Sequence, residues 1–335
     1  MMNNLQINFF WFNTTKNLIQ TISIMIISAS RRTDIPAYYS EWFFNRLREG
    51  FCYTTNPMNP HQFYKISLEK NIVDAIVFWS KNPYPMLKKL HLLEGYHYYF
   101  HYTITPYSHD IEKNLPLKKY LIDTFIQLSD EIGKKRVIWR YDPILFSPQY
   151  TLSYHMEQFT LLCKQLAPYT TKVIISFISM YRKIRKQCAL QNIICPQTEE
   201  KDILLQAFAK ICFEQGIKLE ICAQEFPQNI QYPVFPAHCI DIDLINALSK
   251  KNLVIQKDPY QREHCGCVKS YDIGMYNSCH NNCLYCYASY KQERLEENKT
   301  LHKPDSPILL GDIPKDAQLI EKTIANYNNN QCSLF

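Results

Sequence analysis

Apolar and polar positions follow two different rhythms along most of the chain. From Ile22 to about residue 290, short apolar runs rich in β-branched and aromatic residues are separated by longer segments with helical spacing of their apolar residues. Short runs of this kind predict strands, and the longer periodic segments predict helices. The predicted strands cover residues 22–30, 73–80, 96–105, 136–144, 172–179 and 218–225, with 252–258 as a further candidate.

Three of the intervening segments have the periodicity and the ends of amphipathic helices. They cover residues 36–50, 116–132 and 198–215, and the glycines at their ends are Gly50, Gly133 and Gly216. Glycine is the residue most often found just after a helix, because it adopts the left-handed conformation without strain. Repeated strand–helix units predict an α/β fold, and we expect a TIM-like (β/α) barrel that is partial or circularly rearranged.

Polar and charged residues recur directly after the predicted strands. In β/α barrels, active sites lie at the carboxyl ends of the parallel strands, so this recurrence predicts a shared pocket. Ordinary loop polarity and helix capping explain any single one of these residues equally well. The residues are Ser30, Arg31, Arg32, Asp34, Ser80, Lys81, Asn82, Thr103, Thr105, Arg140, Asp142, Ser176, Gln224 and Glu225.

The domain organisation follows from the same pattern. No tandem repeat or low-complexity linker interrupts residues 25–290, so we expect one barrel-like domain over residues 25–320, with a cysteine-rich part at 222–290. Residues 1–24 lack an apolar run of the ~20 residues that a membrane span requires. Because Met25 opens the first well-formed strand, we interpret residues 1–24 as a disordered extension or a mis-assigned start, and residues 321–335 as a tail.

Composition narrows the chemistry only slightly. The formal charge of +6 is a mild excess for 335 residues, so it permits an anionic partner without requiring one. The 13 cysteines are mostly isolated in the sequence and no secretory signal precedes them, which argues against a disulfide framework. We therefore expect a cytoplasmic protein that has no membrane partner and keeps its thiolates for metal.

Three closely spaced cysteines near the C-terminus carry the most specific signal. Cys279, Cys283 and Cys286 are separated by three and two residues, and aromatic Tyr285 precedes the last of them. Iron–sulfur clusters are held by cysteine thiolates at short spacings, and three ligands on a 4Fe-4S cluster leave one iron open. An open iron is able to chelate the amino and carboxylate groups of a substrate.

Zinc is the competing interpretation of this segment. Cys283 and Cys286 form a C-x-x-C pair, and Cys265 and Cys267 form a C-x-C pair that would complete a tetrahedral site. That arrangement leaves Cys279 without a role. His280 would serve as the fourth ligand of a three-cysteine site, although its place beside Cys279 is sterically awkward.

A second metal site is a separate hypothesis. Its cysteines would bind a second cluster or a zinc ion, whereas the alternative is that some of them are small buried apolar residues, the commoner fate of free cysteine. The residues concerned are Cys222, Cys239, Cys265 and Cys267.

The chain resembles the bacterial family catalogued as domain of unknown function 1848, from about Ile26 to about Ile313. The resemblance is carried by the segments ISASRRTDIPAYYSEWF (27–43), AIVFWSKNP (75–83), RVIWRYDPI (136–144), CAQE (222–225) and KDPYQREHCGCVKSYDIGMYN-CHNNCLYCYAS (257–289, with Ser278 left out). The C-terminal cysteines in turn resemble the cluster-binding motif of radical S-adenosylmethionine enzymes, and the YN-C-C-YCYA pattern is similar to spore photoproduct lyase relatives. Tyr285 matches the aromatic position of that motif.

This resemblance implies a 4Fe-4S cluster on the three cysteines and S-adenosylmethionine on its open iron. In radical enzymes of this type the cysteine loop follows the first barrel strand, whereas here six or seven predicted strands precede it. A circular rearrangement reconciles the two if the segment SYDIGMYN (270–277) is the strand before the loop and the strand ending at Ser30 is its neighbour. Arg31, Arg32 and Asp34 would then face the cofactor.

The wider cofactor pocket predicted at the strand ends adds Lys81, Asn82, Arg140, Asp142 and Glu225 to these residues. In this hypothesis Asp34 accepts a hydrogen bond from the amino group of the cofactor and an arginine holds its carboxylate.

Two functions from different classes remain open. The first is a radical enzyme that draws on a reducing electron donor and acts on an unknown substrate, with a nucleic-acid lesion or modified base as the leading analogy. The second is a non-catalytic iron–sulfur or zinc-stabilised binding protein. Basic stretches at 133–136 and 181–187 would suit a nucleic acid, but solvated helix ends explain them as well.

Overall fold

The computed structural model describes residues 22–56, 58–224, 230–322 and 325–327. Its helices are α1 (Ile35–Tyr38), α2 (Ser40–Glu49), α3 (Tyr84–Leu87), α4 (Lys118–Ile132), α5 (Leu152–Leu166), α6 (Arg185–Leu190), α7 (Thr198–Glu214), α8 (Ile242–Ser249) and α9 (Gln292–Thr300). Its strands are β1 (Ile22–Ile24), β2 (Ile26–Ala29), β3 (Phe51–Asn56), β4 (Asn59–Ser67), β5 (Ala75–Ser80), β6 (Tyr98–Thr103), β7 (Val137–Ile144), β8 (Lys172–Phe177), β9 (Lys218–Ile221), β10 (Val234–Pro236), β11 (Tyr271–Asp272), β12 (Gln318–Glu321) and β13 (Ala325–Tyr327).

An eight-stranded sheet forms the centre of the fold, in the order β10-β9-β8-β7-β6-β5-β2-β11. Every neighbouring pair in it is parallel. The α/β prediction is therefore confirmed. Within the described residues the sheet stays open, with β10 and β11 at its two edges, so a closed TIM barrel is not found.

The order of β11 and β2 matches the rearrangement expected from the sequence. Tyr271 of β11 is in register with Ile27 of β2, and Asp272 with Ser28. The strand that leads into the cysteine segment therefore lies beside the first long strand of the chain, although more than 240 residues separate their partners.

One face of the sheet packs against helices and the other against the later part of the chain. On the helix side Trp139 of β7 stacks on Phe159 of α5, which stacks on Phe208 of α7 at 3.7 Å between ring centroids. Such a pair adds about 0.5–1.5 kcal/mol beyond its buried area. On the opposite face, apolar residues of the strands contact the segment 237–268, which includes α8. Both faces are thus covered, as parallel sheets require.

Three predicted elements differ from the structure. The helix predicted over 36–50 is two helices, α1 and α2, which meet at Tyr39. The candidate strand 252–258 is wrong: only Lys257 pairs there, with Val268, and the backbone of Leu253 is bound instead by the Asn246 side chain of α8. The segment 1–24 contains a strand at its end, because β1 pairs with β13, while residues 1–21 lie outside the described part of the chain.

A small second sheet flanks the main one. Strands β3 and β4 form an antiparallel hairpin, and β12 pairs with β4 in parallel. In the part of the chain that the structure describes, no helix is long and apolar enough to cross a membrane.

Candidate functional site

The loop between β11 and α9, residues 273–291, carries three cysteines and lies at the carboxyl end of β2; we call it the cysteine loop. Its close contact with β2 depends on Gly274, since a Cβ atom there would collide with the side chains of Ser30 and Thr33. Glycine is used where two backbone segments must approach this closely. The cysteine loop is thereby placed at the edge where active sites of β/α folds occur.

Asp272 fastens the start of this loop to β2. Its carboxylate accepts hydrogen bonds from the hydroxyls of Ser28 (2.7 Å) and Ser30 (2.6 Å) and from the backbone N–H of Arg31 (2.9 Å). Arg32 completes the set with an ion pair at 3.0 Å. Burial tends to raise the pKa of Asp272, but Arg32 and the hydrogen bonds outweigh it and lower that pKa.

Asp34 fastens the middle of the loop. Its two oxygens accept four hydrogen bonds, from Ser80 Oγ (2.7 Å), Lys81 N (2.8 Å), Asn281 Nδ2 (2.9 Å) and Ala37 N (3.1 Å). Four is the usual capacity of a carboxylate. Asp34 therefore links β5, the start of α1 and the cysteine loop, and the structure gives it a positioning role. Burial raises the pKa of Asp34 despite these donors.

The break between α1 and α2 directs two tyrosines at the same loop. Tyr38 donates to Asn281 Oδ1 at 2.8 Å, and Tyr39 donates to the carbonyl of Ser278 at 2.7 Å. Thr33 lies 2.6 Å from the Ser278 hydroxyl. These contacts explain why a continuous helix over residues 36–50 does not form: Tyr39 leaves the helical path at the point where it meets the loop.

A buried carboxylate that the sequence analysis did not single out supports the last part of the loop. Glu112 pairs with Lys81 (2.7 Å) and with Lys118 (2.5 Å), and it accepts hydrogen bonds from Thr105 (2.6 Å) and from the Tyr285 hydroxyl (2.5 Å). Burial tends to raise the pKa of Glu112, but the two ammonium groups lower it to about 2. The carboxylate is therefore charged at neutral pH.

Backbone pairing complements this contact. Glu112 and Cys283 form an antiparallel bridge, and Leu284 donates to the carbonyl of Ile111 at 3.0 Å. Glu112 lies in a polar loop without strand or helix periodicity, and two of its partners, Lys81 and Tyr285, come from distant positions in the sequence. Only the fold brings them together.

The three cysteines of the loop form one group, which we call the loop trio: Cys279, Cys283 and Cys286. Cys283 is buried and the other two are half-buried. Burial raises the pKa of the Cys283 thiol and the ammonium of Lys81 opposes this, while Cys286 and Cys279 raise it further. The Ser289 N–H donates to the Cys286 sulfur at 3.3 Å, the type of contact that tunes cluster sulfurs.

The other four cysteines form a second group, the sheet quartet: Cys222, Cys239, Cys265 and Cys267. All four are buried on the face of the sheet that the segment 237–268 covers. Cys222 Sγ lies 3.7 Å from Cys239 Sγ. Every cysteine in the described ranges is a free thiol.

The structure therefore separates the residues of the mixed zinc site that the sequence left open. Cys265 and Cys267 interact with Cys239, whereas Cys283 interacts with Cys286 and Cys279. His280 contacts two tyrosines. Its ring meets Tyr38 edge-on, and its Nε2 lies 3.2 Å from the Tyr39 hydroxyl. Among the described residues, no three His, Cys, Asp or Glu side chains stand as a single metal ion requires.

The predicted cofactor residues divide between the two groups. Asp34 and Lys81 lie under the cysteine loop, which itself carries Tyr285. Arg140 instead donates to Cys239 Sγ at 3.0 Å and pairs with Asp142.

Arg31 joins the second set. Its guanidinium lies over the Trp79 ring, and the charges of Cys267 and Cys239 help to raise its pKa against the effect of burial. Asn82 takes part in a local turn after β5, with its N–H on Ser80 Oγ. Glu225 lies outside the described residues.

The basic stretch 181–187 packs against the cysteine loop. The Lys183 ammonium lies 4.8 Å from the ring centroid of Tyr276 and 4.6 Å from that of Tyr290. Gln187 donates to the carbonyl of Leu284. The other basic stretch, 133–136, precedes β7 and so lies at the opposite edge of the sheet.

Two clefts lie near these elements. One of about 340 Å³ lies behind the cysteine loop and is lined by Gln187, Cys283 and Tyr290 among others. A larger one of about 590 Å³ lies beside α2, lined by Glu41 and Tyr96 among others, and contains none of the predicted site residues. We place the functional site by its chemistry and not by cleft size.

Comparison with known proteins identifies a family without an assigned activity. A family model described as "Domain of unknown function (DUF1848)" matches residues 26–288. No match was found among curated proteins. A solved structure named as an alpha-L-fucosidase from Bacteroides thetaiotaomicron VPI-5482 is 12% identical, with a TM-score of 0.26 over 89% of this chain and 98% of that one.

The carboxyl transferase domain of Rhizobium etli pyruvate carboxylase is 9% identical, with a TM-score of 0.26 over 61% of this chain and 36% of that one. Both structural likenesses are too distant to inform fold or function.

Proposed function

This chain belongs to the family of the domain of unknown function (DUF1848), and from that premise we propose that it is a radical S-adenosylmethionine-type 4Fe-4S protein. The loop trio would hold the cluster, and the open iron would bind S-adenosylmethionine. The observation that carries the proposal is the position of these cysteines, directly after a strand, β11, that lies beside β2 at the carboxyl edge of an open parallel sheet.

That position supports a rearranged, partial barrel. In the radical enzymes that the motif resembles, the cysteine loop follows the first barrel strand. Here β11 occupies one edge of the sheet and β2 comes next, which is the order that a permuted barrel would have. The sequence spacing and the strand order are independent observations, and both favour the same site.

The donor set fits a cluster better than a single ion. Thiolates that bind one zinc ion lie about 2.3 Å from it, so their sulfurs must nearly touch. Thiolates that hold a cluster are farther apart because iron and sulfide lie between them. The loop trio supplies three thiolates, and His280, the fourth ligand that zinc would need, contacts Tyr38 and Tyr39 instead. Three thiolates leave one of four irons without a protein ligand.

When bound, such a cluster supplies the electron that cleaves S-adenosylmethionine to methionine and a 5'-deoxyadenosyl radical. The chain's own residues would shape the space around it. Asp34 and Glu112 hold the loop in place, and the guanidinium of Arg32, which lies over Tyr276, is the group that we assign to the cofactor carboxylate.

The substrate that we favour is a nucleic-acid lesion or modified base. Lys183 lies against Tyr276 and Tyr290 of the cysteine loop, so a cation and two aromatic rings adjoin the proposed radical source. Stacking on aromatic rings and contact with phosphates are the two general means of holding a single-stranded base.

An oxygen-sensitive cluster also requires a reducing compartment and an electron donor, which the cytoplasm supplies.

Anaerobic reconstitution tests the proposal. The wild-type protein, supplied with iron, sulfide, a strong reductant and S-adenosylmethionine, should bind four irons at the loop trio and release 5'-deoxyadenosine, measured by liquid chromatography. Cys286→Ser should lose this activity, and Cys52→Ala, a buried cysteine away from both groups, should retain it. A colourless protein without turnover would contradict the proposal.

A second candidate is a non-catalytic, metal-stabilised binding protein. The sheet quartet favours it, because four buried thiols that hold a long segment against the sheet would have a structural role without any catalytic one. The same reconstitution separates the two candidates, since only the radical enzyme produces 5'-deoxyadenosine.

A further inference from the structure

The four cysteines of the sheet quartet lie together on the face of the sheet that the segment 237–268 covers. Cys222 directly follows β9, Cys239 follows β10, and Cys265 and Cys267 come from the segment after α8. All are buried in the same apolar cluster. Buried free cysteines commonly behave as small apolar residues, so burial alone does not indicate a site. Their mutual contacts do.

The four thiols form a continuous chain of contacts. The sulfurs of Cys222 and Cys239 are 3.7 Å apart. Electrostatic interactions link Cys239 to Cys267 and Cys267 to Cys265. The backbone N–H of Ile240 also donates to Cys267 Sγ at 3.4 Å.

The distance between the Cys222 and Cys239 sulfurs is that of neighbouring ligands on one ion. Zinc–sulfur bonds of about 2.3 Å place the sulfurs of a tetrahedral site about 3.8 Å apart, whereas a disulfide brings them to about 2.05 Å. The 3.7 Å between Cys222 and Cys239 agrees with the first value and excludes the second.

Buried cations adjoin the group. Arg140 donates to Cys239 Sγ at 3.0 Å, and an N–H of Arg262 lies 4.0 Å from Cys222 Sγ. Arg31 interacts electrostatically with Cys267 and Cys239, and its Nε is buried without a hydrogen-bond partner.

These arginines would balance the negative charge of a metal site built from four thiolates. Four thiolates around a divalent ion carry a net charge of −2, which is costly to bury unless cations lie beside it. Asp142 offsets part of the charge of Arg140, so Arg31 and Arg262 supply the remainder. Arginine remains charged when buried, which suits this task.

We propose that Cys222, Cys239, Cys265 and Cys267 bind one Zn²⁺ ion in a tetrahedral four-thiolate site that fastens the segment 237–268 to the sheet. The thiols stand as a chain of contacts and, within the described residues, do not yet converge on one point, so binding includes rotation of their side chains. Each thiol that is still protonated gives its proton to solvent as its sulfur–zinc bond forms. This site is independent of the loop trio and of the proposed radical chemistry.

Metal analysis of a full-length variant that lacks the loop trio provides the test. The background is Cys279→Ser/Cys283→Ser/Cys286→Ser, so iron at the first site cannot contribute. Mass spectrometry of the purified protein should give about one zinc per chain, and adding Cys239→Ser and Cys267→Ser should lower zinc at least tenfold. Cys52→Ala in the same background should retain the metal. Absence of zinc, or iron with sulfide in its place, would overturn the proposal.

Cobalt substitution keeps the test decisive if the quartet variants fail to fold. Co²⁺ added to the metal-depleted trio variant should produce the intense sulfur-to-cobalt and tetrahedral ligand-field absorption of a four-thiolate site, saturating at one equivalent. A spectrum without these bands would refute the site. Neither result depends on whether the wild-type protein binds a 4Fe-4S cluster.

Discussion

The two cysteine groups are built in opposite ways. The loop trio comes from eight consecutive residues, 279–286, on a half-buried loop that carboxylates and tyrosines hold at the edge of the sheet. The sheet quartet spans residues 222–267, is fully buried and lies beside arginines. Under our proposals the trio is the site that reacts, at the edge of the sheet, and the quartet is the site that stabilises the fold.

The surrounding charges show the same contrast. Near the trio, the carboxylates of Asp34 and Glu112 are saturated with hydrogen bonds and so serve to fix the loop. Near the quartet, Arg140 directs its donor at a sulfur. Local spacing is enough to reveal the first group, whereas the sequence offers the second only as a hypothesis, and the fold shows that its four cysteines lie in one buried cluster.

The largest expected effect comes from a substitution in the loop trio that removes the iron–sulfur cluster and leaves the zinc of the sheet quartet in place. Cys283→Ser should abolish the iron–sulfur absorption and 5'-deoxyadenosine release, because two thiolates do not retain a 4Fe-4S cluster against solvent. Zinc bound by the quartet should be unchanged. Absorption spectra and metal analysis of one sample measure both outcomes. Joint loss of iron and zinc would show that the groups are not independent.

The second effect concerns the support of the loop. Glu112→Gln removes the charge that pairs with Lys81 and Lys118, and a buried ion pair that loses one partner costs about 3–5 kcal/mol. The free energy of unfolding, measured in urea, should fall by that order and cluster occupancy should fall with it. Glu41→Gln on α2, outside both groups, is the matched control. Equal unfolding curves for the two variants would contradict the role of Glu112.

A pH effect tests the scaffold that both groups share. Burial lowers the pKa of His155 to about 4, and its ring is held neutral between Tyr141 and the carbonyl of Leu145. Because the folded pKa lies below the unfolded value of about 6.5, this stability is present above pH 6.5 and is lost as the pH falls towards 4.

Between pH 7 and pH 5 the wild-type protein should therefore lose about 2 kcal/mol more stability than His155→Gln. Urea unfolding at the two pH values measures the difference. His155 touches neither cysteine group, so both sites should respond equally to this loss. Identical losses in the two proteins would show that His155 does not stay neutral.

The smallest effect compares one glycine in each region. In Gly274→Ala the new methyl group would collide with Ser30 and Thr33 beneath the cysteine loop. Gly266 lies between Cys265 and Cys267, and in Gly266→Ala the methyl group would collide with the ring of His238. Each overpacked site costs about 1–3 kcal/mol. The first variant should lower iron occupancy alone and the second zinc occupancy alone. Loss of zinc in Gly274→Ala, or loss of iron in Gly266→Ala, would contradict the assignment of the two metals to the two regions.

Much of the fold was predictable from the pattern of apolar residues. The long runs in β5, β6, β7 and β8 are buried on both faces and therefore read as strands. The hairpin β3–β4 was not predicted. The strand β11 was expected only through the family resemblance, as the segment 270–277, because a strand of two residues has no periodicity to detect. The openness of the sheet was also beyond sequence, since closure depends on how the edge strands approach.

The site shows the same division. Spacing identified the loop trio, and the recurrence of polar residues after strands identified Asp34 and Lys81. The sequence could not show that Asp34 accepts a hydrogen bond from Asn281 of the cysteine loop, or that Arg140 donates to Cys239. Glu112 gave no signal, because its importance arises from two lysines and a tyrosine that only the folded chain collects.

The most direct test of the central claim is electron paramagnetic resonance of the anaerobically reconstituted, reduced protein, recorded with and without S-adenosylmethionine. We predict a reduced 4Fe-4S signal that changes shape when S-adenosylmethionine is added, because the cofactor binds the iron that the loop trio leaves open. A 4Fe-4S signal that S-adenosylmethionine leaves unchanged, or a protein that binds no iron, would contradict it.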